Sequence, residues 1–330
     1  MPRERWLKAR KQELLPLTYF HTVFTLPHEL NPIVVSNKKI MLDILFKSVA
    51  ETLLSFGHNP KNGLGGKLGF IAILHSWDQR LNAHFHLHCL IAGGAITEDG
   101  KGFKPCKHGY LFNEEALGLV FRAKFIEYMS QAYQSESLAF PGICAPYERQ
   151  ERFKHLMNNL YCHKWVVSVQ KPITRPEQVL EYLGRYTHRV AVSNQRIISL
   201  KNGQVTFTYK NRKTNSIDTI TIDAVEFIRR FLLHALPQGF VRVRHFGFLA
   251  NRNKTASLAK LRRLLHLPPQ KDKVAEQSME EMIRELTGID ITTCPCCKKG
   301  KMKLAAEIPR YSGLSPKQLI RPPTLSRSAA

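Results

Sequence analysis

The chain has 330 residues, 43% of them hydrophobic, and a formal net charge of +23 at pH 7; the length predicts about two domains. So large a positive excess is more than solubility requires and indicates a polyanionic partner. We expect neither a membrane span nor a secretory segment, and nucleic acid is favoured over a membrane surface, because the sequence has no long apolar run and no basic amphipathic helix with a bulky aromatic face.

The first predicted elements are a strand, a helix and two neighbouring strands. Residues 18–26 are β-branched and aromatic and end at Pro27, which predicts a strand. Residues 37–56 carry apolar positions at helical spacing. Apolar runs at about residues 68–75 and 84–92 predict two strands without a long crossover between them. We therefore expect an α+β fold, in which helices pack on an antiparallel sheet.

The remaining elements alternate along the chain and define the expected domains. We predict helices over residues 113–133, 176–186, 224–235 and 254–267, and strands over residues 165–170, 189–193 and 204–209. The last two strands form a hairpin-like region with turn chemistry at Lys201-Asn-Gly203. The expected domains are a catalytic domain over 1–215, a basic helical DNA-binding region over 216–290, and a Cys-containing, Pro- and Ser-rich, partly disordered tail over 291–330.

Three histidines alternate in the segment His84-Phe-His-Leu-His88. Successive side chains of a strand point to opposite faces, so the three imidazoles share one face. The alternative is a set of solvated or hydrogen-bonded histidines, but three buried imidazoles need partners, and a metal ion supplies one for all of them. If the two strands are antiparallel, a residue near position 79 returns beside His86, and Asp78 or Gln79 could add an oxygen ligand.

Two tyrosines lie four residues apart in Tyr182-Leu-Gly-Arg-Tyr186. On a helix that spacing puts both phenols on one face. An aromatic core stripe is the alternative interpretation. The nearby Arg185, His188 and Arg189 are unusual for a dry core and suit contacts with phosphates.

These segments together resemble the HUH endonucleases, and specifically the two-tyrosine rolling-circle transposases of bacterial insertion sequences. The resemblance covers about residues 5–300. It is carried by four blocks of this sequence, which are Tyr19–Leu30, His84–Gly94, Tyr182–Asn194 and Arg244–Asn251.

The resemblance implies a metal-dependent DNA strand transferase. It implies that His86, His88 and Gln79 bind a divalent ion, Mg²⁺ or Mn²⁺, with ligand softness favouring Mn²⁺. It further implies that Tyr182 or Tyr186 attacks single-stranded DNA and forms a 5′-phosphotyrosine. We expect such a protein in the bacterial cytoplasm with the nucleoid. The expected phosphate contacts are Arg185, His188, Arg189, Arg242, Arg244 and His245.

The cysteines and the start of the chain depart from the family pattern. Family members usually begin with a cysteine-rich zinc module upstream of the region matching Arg5-Trp6, whereas this sequence begins at Met1. Cys294 and Cys297 have CxxC spacing, but no second pair follows, so reduced surface thiols are favoured over half a zinc site. Seven cysteines in a chain of this length also indicate reduced thiols rather than a disulfide framework.

Two rival functions stay open at this point. One is a catalytically decayed transposase that binds DNA through its basic surface. The other is an oxygenase or hydrolase that uses the histidines as a metal site. The tyrosine pair separates both rivals from an active transposase, because only the active transposase needs the tyrosines.

Overall fold

The computed structural model describes residues 10, 11, 13–107, 109–173, 180, 184, 191–211, 213–269, 278, 280, 281, 283, 284 and 288–302. The chain divides into two compact units, one of residues Pro2–Gln270 and the other of Lys271–Ala330 together with Met1. The expected domain limits at residues 215 and 290 stay predictions. No helix among the described residues is long and apolar enough to cross a bilayer.

The unit Pro2–Gln270 contains both strands and helices, as the α+β prediction requires. The strands are β1 (Tyr19–Thr25), β2 (Gly66–Lys67), β3 (Gly69–Trp77), β4 (Ala83–Ala92), β5 (Gly94–Thr97), β6 (Phe103–Pro105), β7 (Val167–Val169), β8 (Ile197–Lys201), β9 (Gln204–Lys210), β10 (Ile217–Asp223) and β11 (Val243–Gly247). The α-helices are α1 (Asn31–Ser36), α2 (Lys38–His58), α3 (Glu114–Gln134), α4 (Gln150–Cys162), α5 (Ala224–Leu233) and α6 (Lys254–Leu264). Short 3-10 helices lie at His28–Leu30, Pro60–Asn62, Gly142–Glu148 and Asn194–Arg196.

A five-stranded sheet in the order β11-β3-β4-β1-β7 lies at the centre of this unit. All of its neighbouring strands are antiparallel. Two three-stranded sheets accompany it, in the orders β10-β9-β8 and β2-β5-β6. The predicted α+β class with an antiparallel sheet is therefore confirmed. Residues 216–269, expected to form a separate helical region, contribute β11 to the edge of the central sheet.

The two faces of the central sheet bury different sets of side chains. On the helix face, Phe85 and Leu87 of β4 belong to the main hydrophobic core. That core also contains residues of α2 and α3, such as Leu45 and Phe121. The opposite face, called here the histidine face, carries the histidines of β4 and a smaller apolar cluster that includes Leu90. Alternation along one strand thus separates a dry core from a potential ligand surface.

Most elements predicted before residue 170 are confirmed, since β1, α2, β3, β4, α3 and β7 overlap their expected ranges. The predicted first strand of the later hairpin, residues 189–193, is wrong in its described part. Residues 191–193 form no strand, residues 189 and 190 lie outside the described residues, and β9 pairs instead with β8. Asn202 and Gly203 join these strands with φ of 49° and 72°. Positive φ at both central residues is the property of the type I′ turn that closes tight hairpins, so the turn chemistry was correct although its first strand was misplaced.

Gly247 at the end of β11 holds the edge strand close to β3. Its φ is +63°, and a Cβ built there would lie 1.6 Å from the carbonyl oxygen of Leu68. That same oxygen accepts a hydrogen bond from the backbone N–H of Phe248 at 2.9 Å. A side chain at this position would therefore push β11 away from the sheet.

We expect Gly247→Ala to destabilise the protein by roughly 2–5 kcal/mol, because left-handed strain and a backbone clash add together. Gly203→Ala is the matched control: its φ is also positive, at +72°, but nothing lies within 4 Å of its added Cβ. Gly203→Ala should lower the free energy of unfolding by only about 1–2 kcal/mol. Urea unfolding of both variants measures the difference, and equal losses would contradict the close approach of β11 to β3.

Candidate metal centre

Three buried histidines meet on the histidine face of the central sheet. His75 comes from β3, and His86 and His88 come from β4. Their side chains are 4%, 6% and 7% exposed. One ring nitrogen of each lies within 4.8 Å of the corresponding nitrogens of the other two. Strand alternation aligns His86 with His88, and the pairing of His75 with His86 brings in the third ring.

The geometry of this cluster fits a divalent metal ion. An ion equidistant from three atoms that are at most 4.8 Å apart would lie up to about 2.8 Å from each, against a usual metal–imidazole distance of about 2.0–2.2 Å. Side-chain shifts of about 0.6–0.8 Å close that gap. A shared cation also gives three closely spaced buried imidazoles a common partner. The described residues His75, His86 and His88 can therefore hold a metal ion.

Hydrogen bonds to the far side of two rings orient them. Nδ1 of His86 lies 2.9 Å from the carbonyl oxygen of His84. Because a carbonyl only accepts, Nδ1 of His86 is the donor, and in the neutral ring Nε2 carries the lone pair that can bind a metal. Nδ1 of His88 lies 2.7 Å from Nε2 of His21 on β1, and the two rings are nearly parallel, with an interplanar angle of 7°. Such partners fix ring orientation and tautomer at metal sites.

Burial keeps the imidazoles of His75 and His21 neutral. It lowers the pKa of His75 to about 2, with smaller contributions from the charges of His86 and Arg242. It also lowers the pKa of His21 to about 4. A neutral imidazole retains the lone pair that binds a metal. The apolar surroundings thus prepare the ring of His75 as a ligand near neutral pH.

Asp78 and Gln79, which the sequence suggested as oxygen ligands, lie in the turn between β3 and β4. The carboxylate of Asp78 accepts hydrogen bonds of 2.8 Å from the backbone N–H groups of Arg80 and Asn82, so it closes the turn. The backbone carbonyl of Gln79 accepts a hydrogen bond of 2.6 Å from Arg196. The residue opposite His86 is His75, so the expectation that a residue near 79 returns there is wrong. The assignment of Gln79 as a ligand stays a prediction.

Sequence reasoning missed His75 because the register between β3 and β4 could not be counted from the turn. The pairs from Phe70 with Ile91 to His75 with His86 keep one regular register. The register differs by one residue next to the turn, where Trp77 pairs with Ala83. Counting back from that pair would put His75 opposite Phe85, whose side chain lies in the main core. The available signal was a histidine inside an apolar strand next to the His84–His88 strand.

The three predicted phosphate contacts of the β11 region lie in different environments. Arg242 stacks over Trp77, 5.3 Å from the ring centre, and its charge acts on His75. Arg244 pairs with Asp43 of α2, on the helix face. His245 lies opposite Ile71 on the histidine face. Arg242 is therefore the member of this set that the structure brings to the metal centre.

The predicted nucleophiles Tyr182 and Tyr186 lie outside the described residues, as do Arg185, His188 and Arg189. Two residues of the same segment are described, Leu180 and Gly184, and both are helical. Leu180 is fully buried in the apolar cluster that contains Ile71, Ile73 and Leu90. The chain therefore returns to the histidine face two residues before Tyr182.

Comparison with known proteins identifies relatives over most of the chain. The family model Y2_Tnp, described as "Putative transposase", matches residues 69–256. The "Putative transposase y4qJ" of Sinorhizobium fredii (strain NBRC 101917 / NGR234) is 39% identical over 305 residues, 92% of this chain and 76% of the relative. The "Transposase for insertion sequence element IS801" of Pseudomonas savastanoi pv. phaseolicola is 27% identical over 250 residues, 76% of this chain and 58% of the relative. The residues matched by the family model include all three clustered histidines and both tyrosines.

Because the ring of His245 is buried, we expect the folding stability of the protein to depend on pH. Both of its nitrogens are buried without a hydrogen-bond partner among the described residues. Burial, with smaller effects of Arg10 and Lys254, lowers its pKa from 6.5 to about 4. The unfolded chain then binds this proton more readily than the folded chain, so stability falls as the pH falls from about 7 towards 4.

Between pH 7.5 and pH 5, the free energy of unfolding should fall in both proteins. We expect the fall to be smaller in His245→Leu than in the wild type, by roughly 2 kcal/mol. Urea unfolding in the presence of a chelator measures this difference. His28→Asn, at a side chain that is 87% exposed, is the control and should follow the wild type. An unchanged pH dependence in His245→Leu would contradict the burial of a neutral ring.

Proposed function

Because this chain belongs to the Y2_Tnp family of transposases, we propose that it cleaves and rejoins single-stranded DNA through a covalent tyrosine–phosphate linkage. The observation that carries the proposal is the cluster of His75, His86 and His88 on the face that also buries Leu180. Transposases transfer DNA strands, and the net charge of +23 suits a polyanionic partner. The rolling-circle pathway and the bacterial cytoplasm are the setting that we propose for this activity.

The histidine cluster supplies the electrostatic part of the proposed reaction. A divalent ion held there would withdraw charge from the scissile phosphate and stabilise the extra negative charge of the transition state. His21 and the carbonyl of His84 keep the rings of His88 and His86 oriented towards that ion. The guanidinium of Arg242 adds a fixed positive charge beside His75, where it suits a DNA phosphate.

The tyrosines supply the proposed nucleophile. The phenol oxygen of Tyr182 or Tyr186 forms a bond to the phosphorus as the bond from phosphorus to the 3′ oxygen breaks. The phenol loses its proton, and the departing 3′ oxygen gains one, which leaves a 5′-phosphotyrosine and a free 3′-hydroxyl. Attack by a 3′-hydroxyl on the phosphotyrosine reverses the step, so joining requires no nucleotide cofactor. Two tyrosines allow two such cleavages in succession.

The expected phosphate contacts are part of this proposal. Arg185 lies between the two tyrosines in sequence, and His188 and Arg189 follow them, so all three suit the DNA next to the cleaved bond. Arg244 already pairs with Asp43, so a phosphate contact by Arg244 would have to compete with that carboxylate. Among the described candidates, we therefore assign the largest role to Arg242.

We propose His75 as the third protein ligand, in place of Gln79. The ring of His75 belongs to the cluster, whereas the described contact of Gln79 is that of its backbone carbonyl with Arg196. A set of three imidazoles binds Mn²⁺ better than Mg²⁺, because Mg²⁺ prefers oxygen ligands. The proposed cofactor is therefore Mn²⁺, with Mg²⁺ as a weaker substitute.

The choice of third ligand is tested by Mn²⁺ titration of His75→Ala and Gln79→Ala. Loss of a direct ligand should weaken binding by at least 10–100-fold, the usual effect of removing even a supporting residue of a metal site. We expect this loss in His75→Ala, and near wild-type affinity in Gln79→Ala. The reverse result would restore the sequence-based assignment of Gln79. Circular dichroism checks that both variants fold.

Covalent capture of labelled single-stranded DNA tests the proposed function. The double variant Tyr182→Phe/Tyr186→Phe should still bind the oligonucleotide but form no covalent complex, because phenylalanine has no nucleophilic oxygen. Tyr110→Phe, at an exposed tyrosine, is the control and should form the complex like the wild type.

Two results would contradict this function. Cleavage by the double variant at the wild-type rate would indicate that water is the nucleophile and that the protein is a hydrolytic nuclease. Binding without any covalent complex in the wild type would indicate a catalytically decayed transposase.

A further inference from the structure

The unit Lys271–Ala330 carries three cysteines, Cys294, Cys296 and Cys297, and no histidine. Within it, residues 288–302 form a small hairpin. Thr293 forms a β-bridge with Lys301, and the backbone N–H of Met302 donates to the carbonyl of Thr292 at 2.7 Å. The cysteines therefore lie at the tip of a paired segment.

At the tip of this hairpin, Cys294 and Cys297 lie on either side of one small space beside Gly300. The N–H of Cys294 donates to the carbonyl of Gly300 at 2.7 Å, and the N–H of Lys298 donates to the carbonyl of Cys294 at 2.9 Å. A Cβ built on Gly300 would lie 3.3 Å from Sγ of Cys297 and 3.7 Å from Cβ of Cys294. Both cysteines thus line the space beside Gly300.

A backbone donor lies beside the sulfur of Cys297. The backbone N–H of Gly300 donates to its Sγ at 3.2 Å. Thiolate is the form of cysteine that binds metals, and a hydrogen bond to the sulfur stabilises that charged form.

The hairpin has little apolar packing to hold it together. Its larger apolar side chains, Ile289, Ile291 and Met302, are 62%, 41% and 57% exposed. An isolated hairpin is only marginally stable in water. Very small folded units without a core usually depend on a crosslink such as a bound metal.

We propose that Cys294 and Cys297 bind one Zn²⁺ together with the same two cysteines of a second copy of this chain. Structural zinc sites take four thiolate or imidazole ligands in a tetrahedral arrangement. The unit Lys271–Ala330 offers no imidazole, and beyond this pair only the thiol of Cys296, which adjoins Cys297 directly in sequence. The CxxC pair therefore supplies half of the ligands, and a second copy supplies the other half.

The charges around the site are consistent with one zinc ion bound by two copies of the chain. Each cysteine loses its proton on binding, so four thiolates and one Zn²⁺ carry a net charge of about −2. Each copy brings Lys298, Lys299 and Lys301 next to the cysteines. These cations offset the negative charge of the cluster.

The test compares the full-length wild type with Cys294→Ser/Cys297→Ser under reducing conditions that prevent disulfides. Elemental analysis should find one more zinc ion per two chains in the wild type than in the variant, so zinc held at the histidines cancels in the difference. Light scattering after gel filtration should show wild-type dimers with zinc, monomers after chelation, and dimers again when zinc is returned. The variant should stay monomeric.

Cys296→Ser is the matched control and should keep both zinc and the dimer. Three results would overturn the proposal: an equal zinc content in wild type and double variant, one zinc ion per chain in a monomer, or a dimer that survives both chelation and the double substitution. Loss of zinc in Cys296→Ser would also overturn the assigned ligand pair. Thermal unfolding of each variant confirms that the rest of the chain still folds.

Discussion

The candidate site depends on the register in which β3 pairs with β4. The pairs from Phe70 with Ile91 to His75 with His86 keep one regular register, which puts His75 directly opposite His86. Because side chains alternate along each strand, His75 then shares a face with His86 and His88. The irregularity in this pairing lies beyond His75, towards Trp77 and the turn, and leaves the register of the histidines intact. A slip of one residue along these strands would separate the three rings.

The histidine face balances two opposing demands. A metal ligand must be desolvated enough to stay neutral, yet each buried polar group costs free energy unless it has a partner. Buried apolar neighbours such as Ile73 and Leu90 supply the desolvation. The carbonyl of His84 and the ring of His21 supply partners on the side away from the cluster. These partners hold the rings of His86 and His88 in the arrangement that can bind a cation together with His75.

The sequence predicted those parts of the fold that follow from local patterns. Alternation in residues 84–92 and helical spacing in residues 37–56 correspond to β4 and α2, because side-chain periodicity depends only on the local backbone. The shared face of His86 and His88, the proposed ligand pair, follows from the same rule. The third member of the cluster could not be predicted, because it depends on the register between two strands. His21 was missed for a related reason, since its contact with His88 arises only when β1 pairs with β4.

The proposed reaction combines residues from two distant parts of the sequence. The clustered histidines sit on central strands of a buried sheet, whereas the tyrosines follow Leu180, a residue packed against that sheet from a distant part of the sequence. In the predicted helix, residues four apart are separated by about 6 Å along the axis. The second tyrosine would therefore reach the phosphate position of the first only through a relative shift of about that distance between phenol and phosphate. Since the clustered histidines lie on paired strands of the central sheet, we infer that one metal centre serves both proposed cleavages.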